Sequence, residues 1–207
     1  MFMSRVEIPW EFARNPYNLH QQLWRLFPGE ERENRSNDGE SRQGFLFRIE
    51  DSQTGCTARL LVQSRRTPET SSGLIVIGTR EFQPKPVAGQ RLAFLLTANP
   101  VKTITDKQRD AKPGKQSEKC RVPLIKEEDQ REWITRKFAG AGEIEAVSVL
   151  RHAPTHFSRG NRAGKLATAT FNGMMRVFDP VALVSLLRNG VGPAKGFGCG
   201  LLLVRRV

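Results

Sequence analysis

Apolar and polar positions alternate with period two in five stretches of the first half, at about 2–8, 44–50, 57–64, 74–82 and 90–98. Successive side chains of a strand point to opposite faces, so the alternation predicts five half-buried strands. One helix interrupts them. In NPYNLHQQLWRLF, residues 15–27, Leu19, Leu23, Leu26 and Phe27 recur at helical spacing. Asn15 is placed as its N-cap and Pro16 as its first residue, where a missing N–H forfeits no helical hydrogen bond.

In the second half, Trp133, Ile134 and Phe138 predict a helix over about 126–139, followed by strands near 143–150, 165–171 and 173–178. A further helix is punctuated at both ends: Asp179 caps it, Pro180 starts it, VALVSLLRN fills it and Gly190 ends it. GLLLVRR closes the chain as a strand. Two segments break the pattern. GEERENRSNDGESRQ, residues 29–43, has no apolar residue and is expected to be an exposed loop. The polar segment 106–119 contains Pro113 and Gly114 and carries Lys107, Arg109, Lys112, Lys115 and Lys119, which reads as an interdomain connection or a mobile basic loop.

Each half mixes strands and helices in an order compatible with βαββαβ. The predicted fold class is therefore α+β, with tandem ferredoxin-like (RRM-like) domains over 1–104 and 120–207, joined by a basic linker over 105–119. The first domain is expected to be partly degenerate, because only TPETSS, residues 67–72, is available for its second helix.

Charge narrows the partner class. The formal net charge is +12, from 33 basic against 21 acidic residues, so the surface should attract a polyanion, and nucleic acid leads. A membrane is set aside, because no apolar run spans a bilayer and no basic amphipathic helix or lipidation motif occurs. MFMSRVEIPW interrupts its apolar residues with Arg5 and Glu7, unlike a signal or transit peptide, so a cytoplasmic location is expected. Cys56, Cys120 and Cys199 are odd in number and far apart, which predicts three reduced, mostly buried thiols and neither a disulfide framework nor a zinc knuckle.

Three stretches carry candidate chemistry. Tyr17, His20 and Trp24 fall in one stripe on the flank of the first helix's apolar face. A histidine on that border can have one ring edge packed and the other open to a ligand, which suits a general base; a packed boundary residue beside core aromatics gives the same pattern. RHAPTHFSRGNRAGK, residues 151–165, carries Arg151, Arg159, Arg162 and Lys165 without an acidic residue, and reads as a basic hairpin tip for phosphates or as a solvated loop. Its His152 and His156 read as a second catalytic pair or an RNA contact, while their i, i+4 spacing spans Pro154, which disfavours a helical metal site. GVGPAKGFGCG, residues 190–200, can turn backbone N–H groups and Lys195 toward a phosphate, or can serve as a helix cap and tight turn. No HExxH or paired-carboxylate pattern occurs, which disfavours a metal-dependent nuclease. RNA cleavage needs little protein chemistry, because the neighbouring 2′-OH attacks the phosphorus once a base removes its proton.

NPYNLHQQLWRLFP, LTANPVKT (96–103), CRVPLIKEEDQREWI (120–134) and GVGPAKGFGCGLL (190–202) together resemble, in order, the CasE family of CRISPR repeat-processing endoribonucleases of the type I-E Cascade system. The resemblance implies tandem ferredoxin-like domains and metal-independent, cofactor-free cleavage of precursor CRISPR RNA at the 3′ base of each repeat hairpin. A 2′,3′-cyclic phosphate product is expected. The mature CRISPR RNA would stay bound as the protein joins the other Cascade subunits in antiviral defence. His20 and Tyr17 occupy the family's catalytic positions. Gln21 directly follows the histidine where some members are basic, so Arg25 takes the phosphate role. Arg159, Arg162 and Lys165 are cast as RNA-stem contacts and Lys195 as a phosphate contact of the glycine-rich loop. A rival reading is a non-catalytic RNA-hairpin-binding subunit. A DNA-binding regulator is weaker, because no helix-turn-helix can be drawn through these helices.

Overall fold

The computed structural model describes residues 1–30, 44–105, 119–159 and 162–207. The first sheet is built from β1 (Phe2–Pro9), β2 (Phe45–Ser52), β3 (Thr57–Ser64) and β4 (Ile75–Glu81), all antiparallel in the order β2-β3-β1-β4. A short helix α1 (Trp10–Ala13) leads into α2 (Pro16–Leu23), and a 3₁₀ turn over Trp24–Leu26 continues it. The Asn15 side chain accepts from the Tyr17 N–H at 3.1 Å, the cap read from the sequence. Leu19, Leu23, Leu26 and Phe27 are buried against Val6, Ile8, Phe45, Phe47, Leu60 and Val62, so the apolar face of the helix and one face of the sheet share a core.

The second sheet consists of β5 (Arg91–Ala98), β8 (Gly142–Arg151), β11 (Ala169–Val177) and β12 (Leu202–Arg206), in the order β12-β5-β11-β8. Counted within their own unit these are strands four, one, three and two, the ferredoxin-like order that the first sheet also has. Helices α3 (Glu127–Phe138) and α4 (Pro180–Asn189) supply Trp133, Ile134, Phe138, Leu183 and Leu187 to its core. Two hairpins are inserted: β6 (Val101–Thr105) with β7 (Lys119–Pro123), and β9 (Thr155–Arg159) with β10 (Arg162–Leu166). Two ferredoxin-like units in tandem are thus present. The first lacks its second helix, since TPETSS lies in an irregular connection between β3 and β4.

Three expectations are corrected. The strand at 90–98, assigned above to the first domain with a boundary at 104, is β5 and is hydrogen-bonded between β11 and β12. The sheets therefore divide between Glu81 and Arg91. Alternation identifies a strand but not its partner, and β5 finds its neighbours more than 70 residues away. Secondly, 165–171 and 173–178 do not form two strands. Arg162–Leu166 belongs to the inserted hairpin, and β11 runs without a break through Gly173. A Cβ at Gly173 would lie 2.2 Å from the Ala146 carbonyl oxygen and 2.9 Å from the Phe94 ring, so this glycine marks close packing inside a strand. Thirdly, Cys56 and Cys120 are exposed, and Cys199 alone of the three thiols is buried. The loop expected over 29–43 and the basic segment 106–119 lie almost wholly outside the described residues.

The units meet where α4 ends. Gln63 on β3 donates from Nε2 to the Leu187 carbonyl at 2.6 Å, and Gly190, in the left-handed region at φ 73°, sits against Leu46 of β2. This junction carries the glycine-rich segment to the first unit.

Candidate active site

His20 lies in the last turn of α2, half-buried, on the flank of the face formed by Leu19 and Leu23. Its ring has three aromatic neighbours: the centroids of Phe45, Phe47 and Trp24 lie 5.5, 6.4 and 6.1 Å away. The Phe47 ring is stacked at 20° to the imidazole, and Trp24 stands edge-on at 75°. Trp24 is held by Phe45, 5.0 Å off and also edge-on, and Gly44 leaves room for the indole. The alternation of β2 that buries Phe45 and Phe47 therefore also fixes the histidine. That role is invisible in a strand pattern read without its neighbours.

The glycine-rich segment also meets the ring. Residues Lys195–Phe197 form a 3₁₀ turn, entered at Ala194 (φ 62°) and left at Gly198 (φ 81°), both left-handed. A Cβ built on Gly196 would lie 3.4–3.5 Å from Cε1, Nδ1 and Nε2 of His20, so this backbone faces the imidazole at van der Waals distance. The turn is anchored on the second sheet by the Gly200 N–H, which donates to the Thr97 carbonyl at 2.7 Å, and the segment is closed on itself by the Val191 N–H, which donates to the Gly200 carbonyl at 2.9 Å. It is anchored on the first unit by Gly198, next to the Phe47 ring. The loop is thus a bridge between the two cores that presents its middle to His20. That accounts for glycines which a helix cap alone leaves unexplained.

Of the residues singled out above, the fold brings His20, Tyr17 and Lys195 to this junction. Tyr17 is half-buried one turn before His20 on the same helix, and Lys195 adjoins Gly196 with its stem beside Gly200. Arg25 lies in the 3₁₀ turn after α2, exposed, and donates from Nη1 to Gln22 Oε1 at 2.8 Å. Five residues beyond His20, it projects from a different side of the helical axis. Arg159 and Arg162 are paired in register at the end of the β9–β10 hairpin, and the exposed Lys165 lies opposite His156. Strand β9 of the hairpin stands beside α2, so the basic hairpin adjoins the histidine helix through that strand. His152 is bonded through Nε2 to the Thr170 hydroxyl at 2.8 Å. Among the described residues no group of three or more His, Cys, Asp or Glu side chains comes together, and no helix is long and apolar enough to cross a membrane.

The class so defined is a tandem ferredoxin-like protein with one histidine site at the junction of its two units and a basic hairpin beside it. Comparison with known proteins agrees over the whole length: the chain belongs to the family described as CRISPR associated protein, whose profile matches residues 1–206. It is 38% identical over 202 residues to the CRISPR system Cascade subunit CasE of Escherichia coli K12, covering 98% of both chains. It is 32% identical to the CRISPR-associated endoribonuclease Cse3 of Thermus thermophilus, covering 92% of this chain and 90% of the other. Among solved structures, Cas6e of Escherichia coli K-12 superposes with a TM-score of 0.83 at 36% identity over the full length of both chains. Cse3 bound to a 19-nt RNA superposes with 0.77 at 25% identity, covering 99% of this chain and all of that one.

Proposed function

We propose that the protein is a metal-independent endoribonuclease that cleaves precursor CRISPR RNA at the 3′ base of the repeat stem-loop and keeps the mature RNA as a subunit of Cascade. The observation that carries the reading is a single histidine, packed by three aromatic rings and met by a glycine-rich turn, next to a basic hairpin. The relatives named CasE and Cse3, and the RNA held by Cse3, supply the substrate class. A cytoplasmic location follows from this role.

In this mechanism the His20 imidazole accepts the proton of the 2′-OH at the cut site. The oxygen attacks the adjacent phosphorus, the bond to the 5′-oxygen breaks, that oxygen takes up a proton from water while the imidazolium returns its own to solvent, and a 2′,3′-cyclic phosphate and a 5′-hydroxyl result. Tyr17, one turn earlier on α2, assists. Lys195, in the turn that meets His20, faces the charge that grows on the phosphoryl oxygens, and Arg25, on another side of the helix, adds a phosphate contact outside the reacting centre. Arg159, Arg162 and Lys165 grip the stem. The deep, narrow major groove of A-form RNA suits recognition by backbone and shape.

A labelled repeat hairpin with a single 2′-deoxy substitution at the cut site tests the chemistry. The all-ribose RNA is expected to be cut in the presence of EDTA, and the deoxy RNA to be bound but left intact. Binding of both without cleavage of either would point to the non-catalytic RNA-binding subunit.

A further inference from the structure

The basic hairpin is tied to the histidine by a contact that the proposed mechanism does not use. Phe157 of β9 lies with its ring centroid 4.6 Å from that of Phe197, at 48°. Gly164, opposite Phe157 in the β9–β10 register, makes room for it: a Cβ there would lie 2.3–2.8 Å from three atoms of the Phe157 ring. The hairpin therefore gives up a side chain so that the phenylalanine can lie across its own neighbouring strand and reach the glycine-rich segment. Phe197 is the last residue of the 3₁₀ turn whose middle residue, Gly196, faces His20. The turn is closed by Phe197 N–H to Ala194 O at 2.9 Å and Gly198 N–H to Lys195 O at 3.1 Å. A three-residue turn closed in this way moves as a unit, so a displacement of Phe197 reaches Gly196.

We propose that the Phe157–Phe197 pair is a positioning element that couples the β9–β10 hairpin to the turn facing His20, and so sets the rate of cleavage of bound RNA. This rests on the reading of His20 as the base and of the hairpin as a stem contact. Neither phenylalanine touches the reacting atoms; both act through the turn. Phe157 and Phe197 are only half-buried and belong to neither core, so their truncation leaves the two cores intact.

Single-turnover cleavage at saturating protein separates the outcomes. Phe157→Ala and Phe197→Ala are each expected to slow cleavage of the hairpin by about tenfold, the upper end of what an aromatic pair is worth. Hairpin affinity should stay within about twofold, because the basic strands are untouched. The double variant should be about tenfold slow and not about a hundredfold, since both changes break one contact. Phe197→Met, which keeps a long polarizable side chain against the Phe157 ring, should restore most of the rate. On adding the 2′-deoxy hairpin, the His20 imidazole resonance, assigned by its absence in His20→Ala, should shift less in the alanine variants than in wild type. Multiplicative rate losses, unchanged rates, a loss confined to affinity, or Phe197→Met as slow as alanine would each overturn the coupling. Undiminished cleavage by His20→Ala would instead overturn the reading of the base, whatever the phenylalanines do.

Discussion

Cys199 is 1% exposed, and burial pushes its thiol up to about 12, while Cys56 and Cys120 are open to solvent. The thiolate is the reactive form, so the native protein should take up two equivalents of a thiol reagent and the third only in denaturant; mass spectrometry counts them. The same contrast between buried and accessible governs His20. Its ring packs on Phe45, Phe47 and Trp24 but is not part of the core that Phe45 and Phe47 belong to, so His20→Ala leaves that core intact. The variant should lose cleavage by on the order of 10²- to 10⁴-fold, the usual worth of general-base help, with hairpin affinity near wild type by filter binding. Sequence spacing was sufficient to put Tyr17, His20 and Trp24 on one flank. It could not separate a packed histidine from a working one, because the rings that decide the matter sit on a strand some 25 residues away.

At the scale of elements, the caps were the most legible feature. Asp179 accepts from the N–H groups of Val181 at 2.8 Å and Ala182 at 3.2 Å, and Gly190 ends α4 with a positive φ. Asp179→Ala should cost about 1 kcal/mol, read from the urea midpoint, because two helical donors lose their acceptor. The second sheet has a charged clasp: Glu145 on β8 accepts from Arg91 on β5 at 2.8 Å and from Arg176 on β11 at 3.2–3.3 Å. The Arg91 hydrogen bond, followed by that of Arg176, holds this carboxyl below its ordinary value. The clasp therefore stabilises the fold fully above the ordinary carboxylate range and fades as pH falls through the lowered value. Unfolding midpoints of wild type and Glu145→Gln should differ at pH 7 and converge as pH falls below the ordinary carboxylate range and through the lowered value, and added salt should narrow the gap at pH 7. Strand existence was readable from alternation, whereas strand partnership was not. Period two is a local property, while the pairing of β5 with β11 and β12 is settled by which apolar faces can close over one core.

At the scale of the molecule, the net charge of +12 sets how binding responds to salt. Each phosphate neutralised releases counterions, so Lys165→Ala, which removes one exposed cation of the hairpin, should lower the slope of log affinity against log salt by about 1. Titration of the 2′-deoxy hairpin at several salt concentrations measures it. The sequence by itself determined the local features: where helices start and stop, which faces are apolar, the excess of positive charge, and the histidine, tyrosine and glycine-rich stretches that carry the family resemblance. These depend on spacing and residue chemistry within a few turns of chain. Only the tertiary structure decided that β5 belongs to the second sheet, that Gly196, Phe45 and Phe47 meet at His20, and that Phe157 reaches the same turn through Phe197. Each of those contacts joins residues distant in sequence, and their proximity follows from two sheets packing around the end of α4, a constraint no local pattern contains.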